Sequence, residues 1–89
     1  MNTWIKVSER LPEFNNLFSE NEYNKIMTTD EVLVQTANGN MYVAHCRHNH
    51  YKKYTGDEYF WYFRNNMESR FQIRNVVAWM ELPERIEVE

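Results

Sequence analysis

The chain has little of several things that commonly identify a class of protein. It contains one cysteine, Cys46, with two glycines and two prolines among its 89 residues. A single cysteine excludes an intramolecular disulfide, and with it the small secreted disulfide scaffold. A membrane span needs about 18 consecutive apolar residues, and no stretch of this sequence approaches that length. No signal-type apolar segment follows the first residues. These absences predict a cytoplasmic protein with no membrane partner.

The chain also lacks a surplus of positive charge, since its formal net charge is −3. A protein that binds phosphate backbones usually presents a broad basic field, so a nucleic-acid partner is disfavoured. Hydrophobic residues make up 43% of the sequence and aromatic residues 16%. That content, at this length, is enough for one core and predicts a single domain over residues 1–89.

Alternating β-prone residues predict the strands of a small sheet. Segments 31–37 and 40–46 flank Asn38 and Gly39, the dipeptide best suited to a two-residue type I′ hairpin turn, in which both turn residues have positive φ. A turn of that length places Val34 opposite Val43 on a mostly aliphatic face. Further strands are predicted at residues 4–7, 59–63 and 76–80.

Residues 14–27 carry apolar side chains at spacings of three and four, interrupted by polar residues 19–22. This spacing predicts one helix, or two helical turns with a break, lying across a face of the sheet, although the asparagines of the segment favour turns. The predicted fold class is therefore α+β, a small antiparallel β-sheet of about four to five strands with one helical segment packed on one face.

The two ends of the chain carry a recognisable pair of motifs. W-I-x-V-x-x-R-L-P occupies residues 4–12 and W-M-x-L-P occupies residues 79–83, with V-L-V at residues 32–34 between them. In this order they resemble the domain of unknown function 551 family, small proteins common in phages and prophages. The chain departs from the family pattern at Glu81, where proline is common, and in a longer segment after Pro12. The resemblance implies a fold and a phage setting in a bacterial host, without naming a reaction.

The matched tryptophans have a structural interpretation. Trp4 and Trp79 each bring a large apolar side chain from opposite ends of the sequence. Both are predicted to be core residues, and pairing of the first and last strands would then close the small domain.

No group of residues is arranged in the sequence to make or break bonds, so the protein is predicted not to be an enzyme and to need no cofactor. Neither a phosphate-binding glycine loop nor a nucleophile elbow is present. His45, Cys46, His48 and His50 could supply zinc ligands. In a strand, however, His45 points away from the other three, and ligands two residues apart lie about 6 to 7 Å from one another. No metal site is predicted, and this cluster is kept as the alternative.

Aromatic and cationic residues predict binding. Five consecutive aromatics occupy residues 59–63, so aromatic rings lie on both faces of that strand. The rings that the core does not bury must be covered by a helix, a second subunit or a ligand. Cations interleave with tyrosines at residues 51–54, and arginines follow the aromatic run. The predicted ligand- or partner-binding residues are Arg10, Tyr51, Lys52, Lys53, Tyr54, Tyr59, Trp61, Arg64, Arg70 and Arg74.

Together these features predict a phage-type accessory protein that acts by stoichiometric binding. It would inhibit a host defence system, either by binding a host protein or by sequestering a nucleotide-derived signal. The alternative is a small nucleic-acid-associated module, whose binding would be salt-sensitive. A homo-oligomer is also predicted, because a second copy could cover the surplus rings.

Overall fold

The computed structural model describes residues 3–53, 56–63 and 72–83, and every regular element in those ranges is a β-strand. The strands form one antiparallel sheet. The predicted α+β class, with four to five strands and a packed helix, is therefore wrong, and the described part of the chain is all-β. The strands are β1 (Ile5–Lys6), β2 (Asn16–Glu20), β3 (Asn24–Thr28), β4 (Val32–Thr36), β5 (Met41–Tyr51), β6 (Asp57–Phe63), β7 (Gln72–Ile73) and β8 (Val76–Glu81).

A hairpin of β2 and β3, turning at Asn21, stands where the sequence predicted a helix over residues 14–27. The Asn21 Oδ1 accepts hydrogen bonds from the backbone N–H groups of Tyr23 and Asn24 at 2.7 and 2.9 Å, and Asn21 N donates to Asn24 O at 2.9 Å. Asparagine side chains that bond the backbone in this way stabilise tight turns and compete with helix formation. Only Ile26 of this segment is buried, so the segment does not bury the continuous apolar face that a helix packed on the sheet would have.

Strand β5 is long and central, and both of its edges are paired. β6 pairs with residues 44–50 along one edge, while β4 pairs with residues 41–44 and β3 with residues 47–51 along the other. Between β3 and β4 the chain bulges at Thr29. Thr29 N donates to Cys46 O and the Thr29 Oγ1 accepts from Cys46 N, both at 2.9 Å. The hydroxyl thus replaces a backbone acceptor, and β5 stays hydrogen-bonded through the bulge.

The β4–β5 hairpin differs from the prediction by one residue of register. Val34 lies opposite Tyr42, not opposite Val43. A type I′ turn would need positive φ at both Asn38 and Gly39, and of the two only Gly39 has it, at 90°. The loop is therefore three residues long, closed by Thr36 N donating to Asn40 O at 2.9 Å. A shift of one residue moves every side chain of the partner strand to the other face.

The sheet curls around its core. Two residues link β7 to β8, yet β6, β5 and β4 lie between them in the sheet, so its two sides must approach each other. Asn75 in this link has a φ of 62°. Large apolar side chains from five strands meet inside the curl. The buried core cluster consists of Val32, Val34, Ala44, Cys46, Trp61, Ile73 and Trp79.

The pairing predicted between the first and last strands is confirmed. β1 pairs with β8, and Ile5 lies opposite Trp79. Trp79 is buried, and its indole Nε1 donates to Arg10 O at 2.9 Å. Trp4 is exposed, so the prediction of a core position is right for Trp79 and wrong for Trp4.

We expect Gly39→Ala to lower the free energy of unfolding by about 1 to 2 kcal/mol, because a residue with a Cβ is disfavoured in the left-handed region. Nothing lies within 4 Å of a Cβ placed there, so the loss comes from the backbone alone. Gly56→Ala is the matched control, since that position is also open and has no left-handed φ. Urea unfolding of both variants measures the difference, and equal midpoints would contradict the left-handed φ of Gly39.

Candidate functional site

Strand β2 lies at an edge of the sheet and exposes apolar side chains. Leu17 and Phe18 are 58% and 56% exposed, and Tyr23 in the following turn is also exposed. Among the described strands β2 pairs with β3 alone, so its outer backbone groups have no strand partner there. The Arg47 guanidinium lies 5.8 Å from the Phe18 ring centroid.

The β2–β3 pairing has a bulge between Leu17 and Ser19, so simple alternation does not set the direction of Phe18. The contact with Arg47 places the Phe18 ring on the Arg47 face of the sheet, whereas Leu17 lies opposite Met27 on the other face. The two side chains therefore place apolar surface on both sides of the edge.

The predicted binding residues Lys52 and Lys53 contact the β2–β3 hairpin. The Lys52 Nζ lies 2.8 Å from Glu20 Oε2, and this ion pair lowers the pKa of Glu20. The backbone N–H of Lys52 donates to Tyr23 O at 2.9 Å. The Lys53 Nζ lies 4.5 Å from the Tyr23 ring centroid, within range of a cation–π interaction. The two cations therefore connect the hairpin to the end of β5.

A second cluster forms where β5 and β6 run side by side beyond the core. His48 Nε2 and His50 Nδ1 lie 2.8 and 2.9 Å from the same oxygen, Asp57 Oδ1. Both imidazole N–H groups donate to this carboxylate and lower the pKa of Asp57. The His48 ring stacks on Tyr59 with centroids 4.6 Å apart and planes 9° from parallel, and the Phe14 ring lies 5.5 Å from it.

The structure separates the four residues that formed the alternative zinc site. Cys46 is buried in the core, and burial raises the pKa of its thiol to about 12. His45 lies on the opposite face of β5, buried, with its ring 6.1 Å from that of Tyr62. His48 and His50 do converge, but on Asp57, which the sequence reasoning missed. The pairing of β5 with β6, which places His50 opposite Asp57, is the feature that would have identified Asp57.

The two family-type motifs meet at a cleft of about 360 Å³. The Arg10 guanidinium lies over the Trp79 ring, 5.2 Å from its centroid, within range of a cation–π interaction. All four of the other charged side chains in the lining are carboxylates, a balance unsuited to a phosphorylated molecule. The lining includes Arg10, Glu13, Asp30, Glu31, Trp79 and Glu81.

The other predicted binding residues that the structure describes lie in different surroundings. Tyr59 stacks on His48, whereas Trp61 is buried in the core. The Glu58 carboxylate raises the pKa of Tyr51 by accepting its hydrogen bond. Arg74 is exposed and lines a different cleft from Arg10. Tyr54, Arg64 and Arg70 lie outside the described residues.

Comparison with known proteins agrees with the resemblance seen in the motifs. The family model described as protein of unknown function (DUF551) matches residues 3–85, and the chain belongs to this family. No curated protein and no solved structure matches it significantly. The described part of the chain contains no helix that could cross a lipid bilayer.

We expect the His45 imidazole to titrate below the ordinary histidine pKa of about 6.5, because burial lowers its pKa, although the charge of Glu31 opposes this. The unfolded state then binds a proton more readily than the folded state, so stability falls as pH falls through about 6.5. NMR titration of the ring protons, with His45→Gln to assign the signal, measures the midpoint. A midpoint at or above the ordinary value would contradict the prediction.

Proposed function

We propose that this protein acts by stoichiometric binding of another protein, which adds to the exposed edge of β2. The observation that carries the proposal is an edge of β2 that no described strand pairs, with Leu17 and Phe18 exposed on its two sides. Open edges that carry apolar side chains are templates for strand addition, because a partner strand satisfies the backbone groups while its neighbours cover the side chains.

The energetics favour a specific complex at this edge. Full burial of a leucine or phenylalanine side chain contributes about 1.5 to 3 kcal/mol. Both side chains are already partly buried, so burying the rest of the two is worth about two powers of ten in affinity before the cost of association is subtracted. The Glu20–Lys52 ion pair and the turn bonds of Asn21 hold the hairpin in place before binding. A preformed edge loses less conformational entropy on binding than a flexible segment would.

Inhibition of a host defence system is the form of this function that a phage setting favours, and the partner would then be a bacterial host protein. Sequestration of a nucleotide-derived signal has weaker support, because Arg10 and Arg74 line separate clefts and the lysines contact the hairpin. The nucleic-acid-associated module, the homo-oligomer and the absence of enzymatic activity stay predictions.

Paired substitutions test the proposal. We expect the double variant Leu17→Lys, Phe18→Lys to lower partner binding at least about tenfold, because two buried apolar contacts are lost and charge blocks the edge. Met41→Lys is the matched control, since Met41 is an equally exposed strand residue, at 58%, on a different strand. The measurement is quantitative mass spectrometry of host proteins that copurify with each variant, after circular dichroism has shown that both are folded.

Three outcomes would contradict the proposal. Equal recovery of the same protein with the double variant and with the control would place binding elsewhere. Release of a stoichiometric nucleotide on denaturation of the purified protein, with no protein partner, would favour sequestration. A native mass that corresponds to several copies and falls to one copy in the double variant would assign the edge to self-association.

A further inference from the structure

We infer that His48, His50 and Asp57 form a binding site for a divalent transition-metal ion of the zinc class. The site is separate from the proposed binding edge and does not depend on it. Its three donor atoms, one from each residue, all lie within 4.8 Å of one another.

The spacing of the donor atoms fits an ion with small side-chain adjustments. Ligand atoms around a tetrahedral Zn²⁺ lie about 3.3 Å apart when the metal bonds are about 2.0 to 2.1 Å long. The two histidine nitrogens now lie 2.8 and 2.9 Å from Asp57 Oδ1. An ion replaces the two protons that the imidazoles donate to this oxygen, and the nitrogen–oxygen distances open by about half an ångström. The two histidine nitrogens lie within 4.8 Å of each other, and binding would bring them to about 3.3 Å.

The chemistry of the donors selects the class of ion. Two imidazoles and one carboxylate suit Zn²⁺, Co²⁺ or Ni²⁺, whereas Ca²⁺ and Mg²⁺ prefer all-oxygen ligands. Three protein ligands leave a fourth position for water or for a donor from another molecule. The His48 and His50 side chains are 23% and 51% exposed, so an ion can enter from solvent.

The surroundings hold the ligands in position. His48 and His50 lie on one face of β5, and Asp57 lies opposite His50 on β6, so backbone pairing sets all three positions. The stack of His48 on Tyr59, 4.6 Å between centroids, fixes the plane of one ligand ring. Contacts that orient a metal-binding imidazole raise the affinity of such sites.

Metal titration of the protein without a histidine tag tests the inference. After removal of metal with a chelator, calorimetry with Zn²⁺ is expected to show one ion per chain, and Co²⁺ is expected to give the visible absorption of a low-coordinate site without a thiolate charge-transfer band. His50→Gln and Asp57→Asn should each weaken binding at least about tenfold. Glu58→Gln is the matched control, because it removes the same charge one residue along β6 and should leave binding unchanged.

Several results would overturn the inference. These are the absence of stoichiometric binding, an equal loss in Glu58→Gln and Asp57→Asn, and a site that persists in both ligand variants. Circular dichroism of each variant shows that it is folded. His50 is half-exposed, so its substitution tests the site even if Asp57→Asn perturbs the strand pairing.

Discussion

The pairing of β5 along both of its edges is the interaction on which the rest of the structure depends. β5 is longer than β3 or β4, so neither strand can cover its edge alone, and the bulge at Thr29 allows the two in succession to do so. Along the other edge, β6 places Trp61 opposite Cys46, and both residues belong to the buried core. An isolated two-stranded hairpin is at best marginally stable in water, so β2–β3 and β6–β7 depend on β5 for their stability.

The inner face of β5 changes character along its length, and this explains where reactive side chains can occur. Ala44 and Cys46 are fully buried where the sheet curls, His48 is partly exposed, and His50 is half-exposed. All four share one face because they alternate along the strand. Burial keeps the Cys46 thiol protonated, whereas the histidines stand where the core ends and can reach Asp57. The same strand therefore supplies core residues at one end and exposed polar side chains at the other.

Sequence reasoning found most strands, because alternating β-branched and aromatic residues mark them, but it failed where two structures fit one pattern. Asn38-Gly39 suits both a two-residue turn and a three-residue loop, since Gly39 has positive φ in either. The hydrogen bond from the Thr36 hydroxyl to Asn38 favours the longer loop, and local propensity does not reveal it. The apolar spacing of residues 14–27 fits a bulged hairpin as well as a helix. Asp57 was missed because only the β5–β6 register brings it to the histidines.

The edge strand and the histidine–aspartate cluster are connected by one row of paired residues across the sheet. Leu17 lies opposite Met27, Met27 opposite His48, and His48 opposite Tyr59. Residues directly opposite in a sheet share a face, so Leu17 and the cluster face the same side, about 10 Å apart across two strand spacings. A partner strand added to β2 would extend this row by one position. That strand would run about 14 Å from β5 on the side where Leu17 is exposed, so its own side chains would pack on Leu17 and would not reach the histidines.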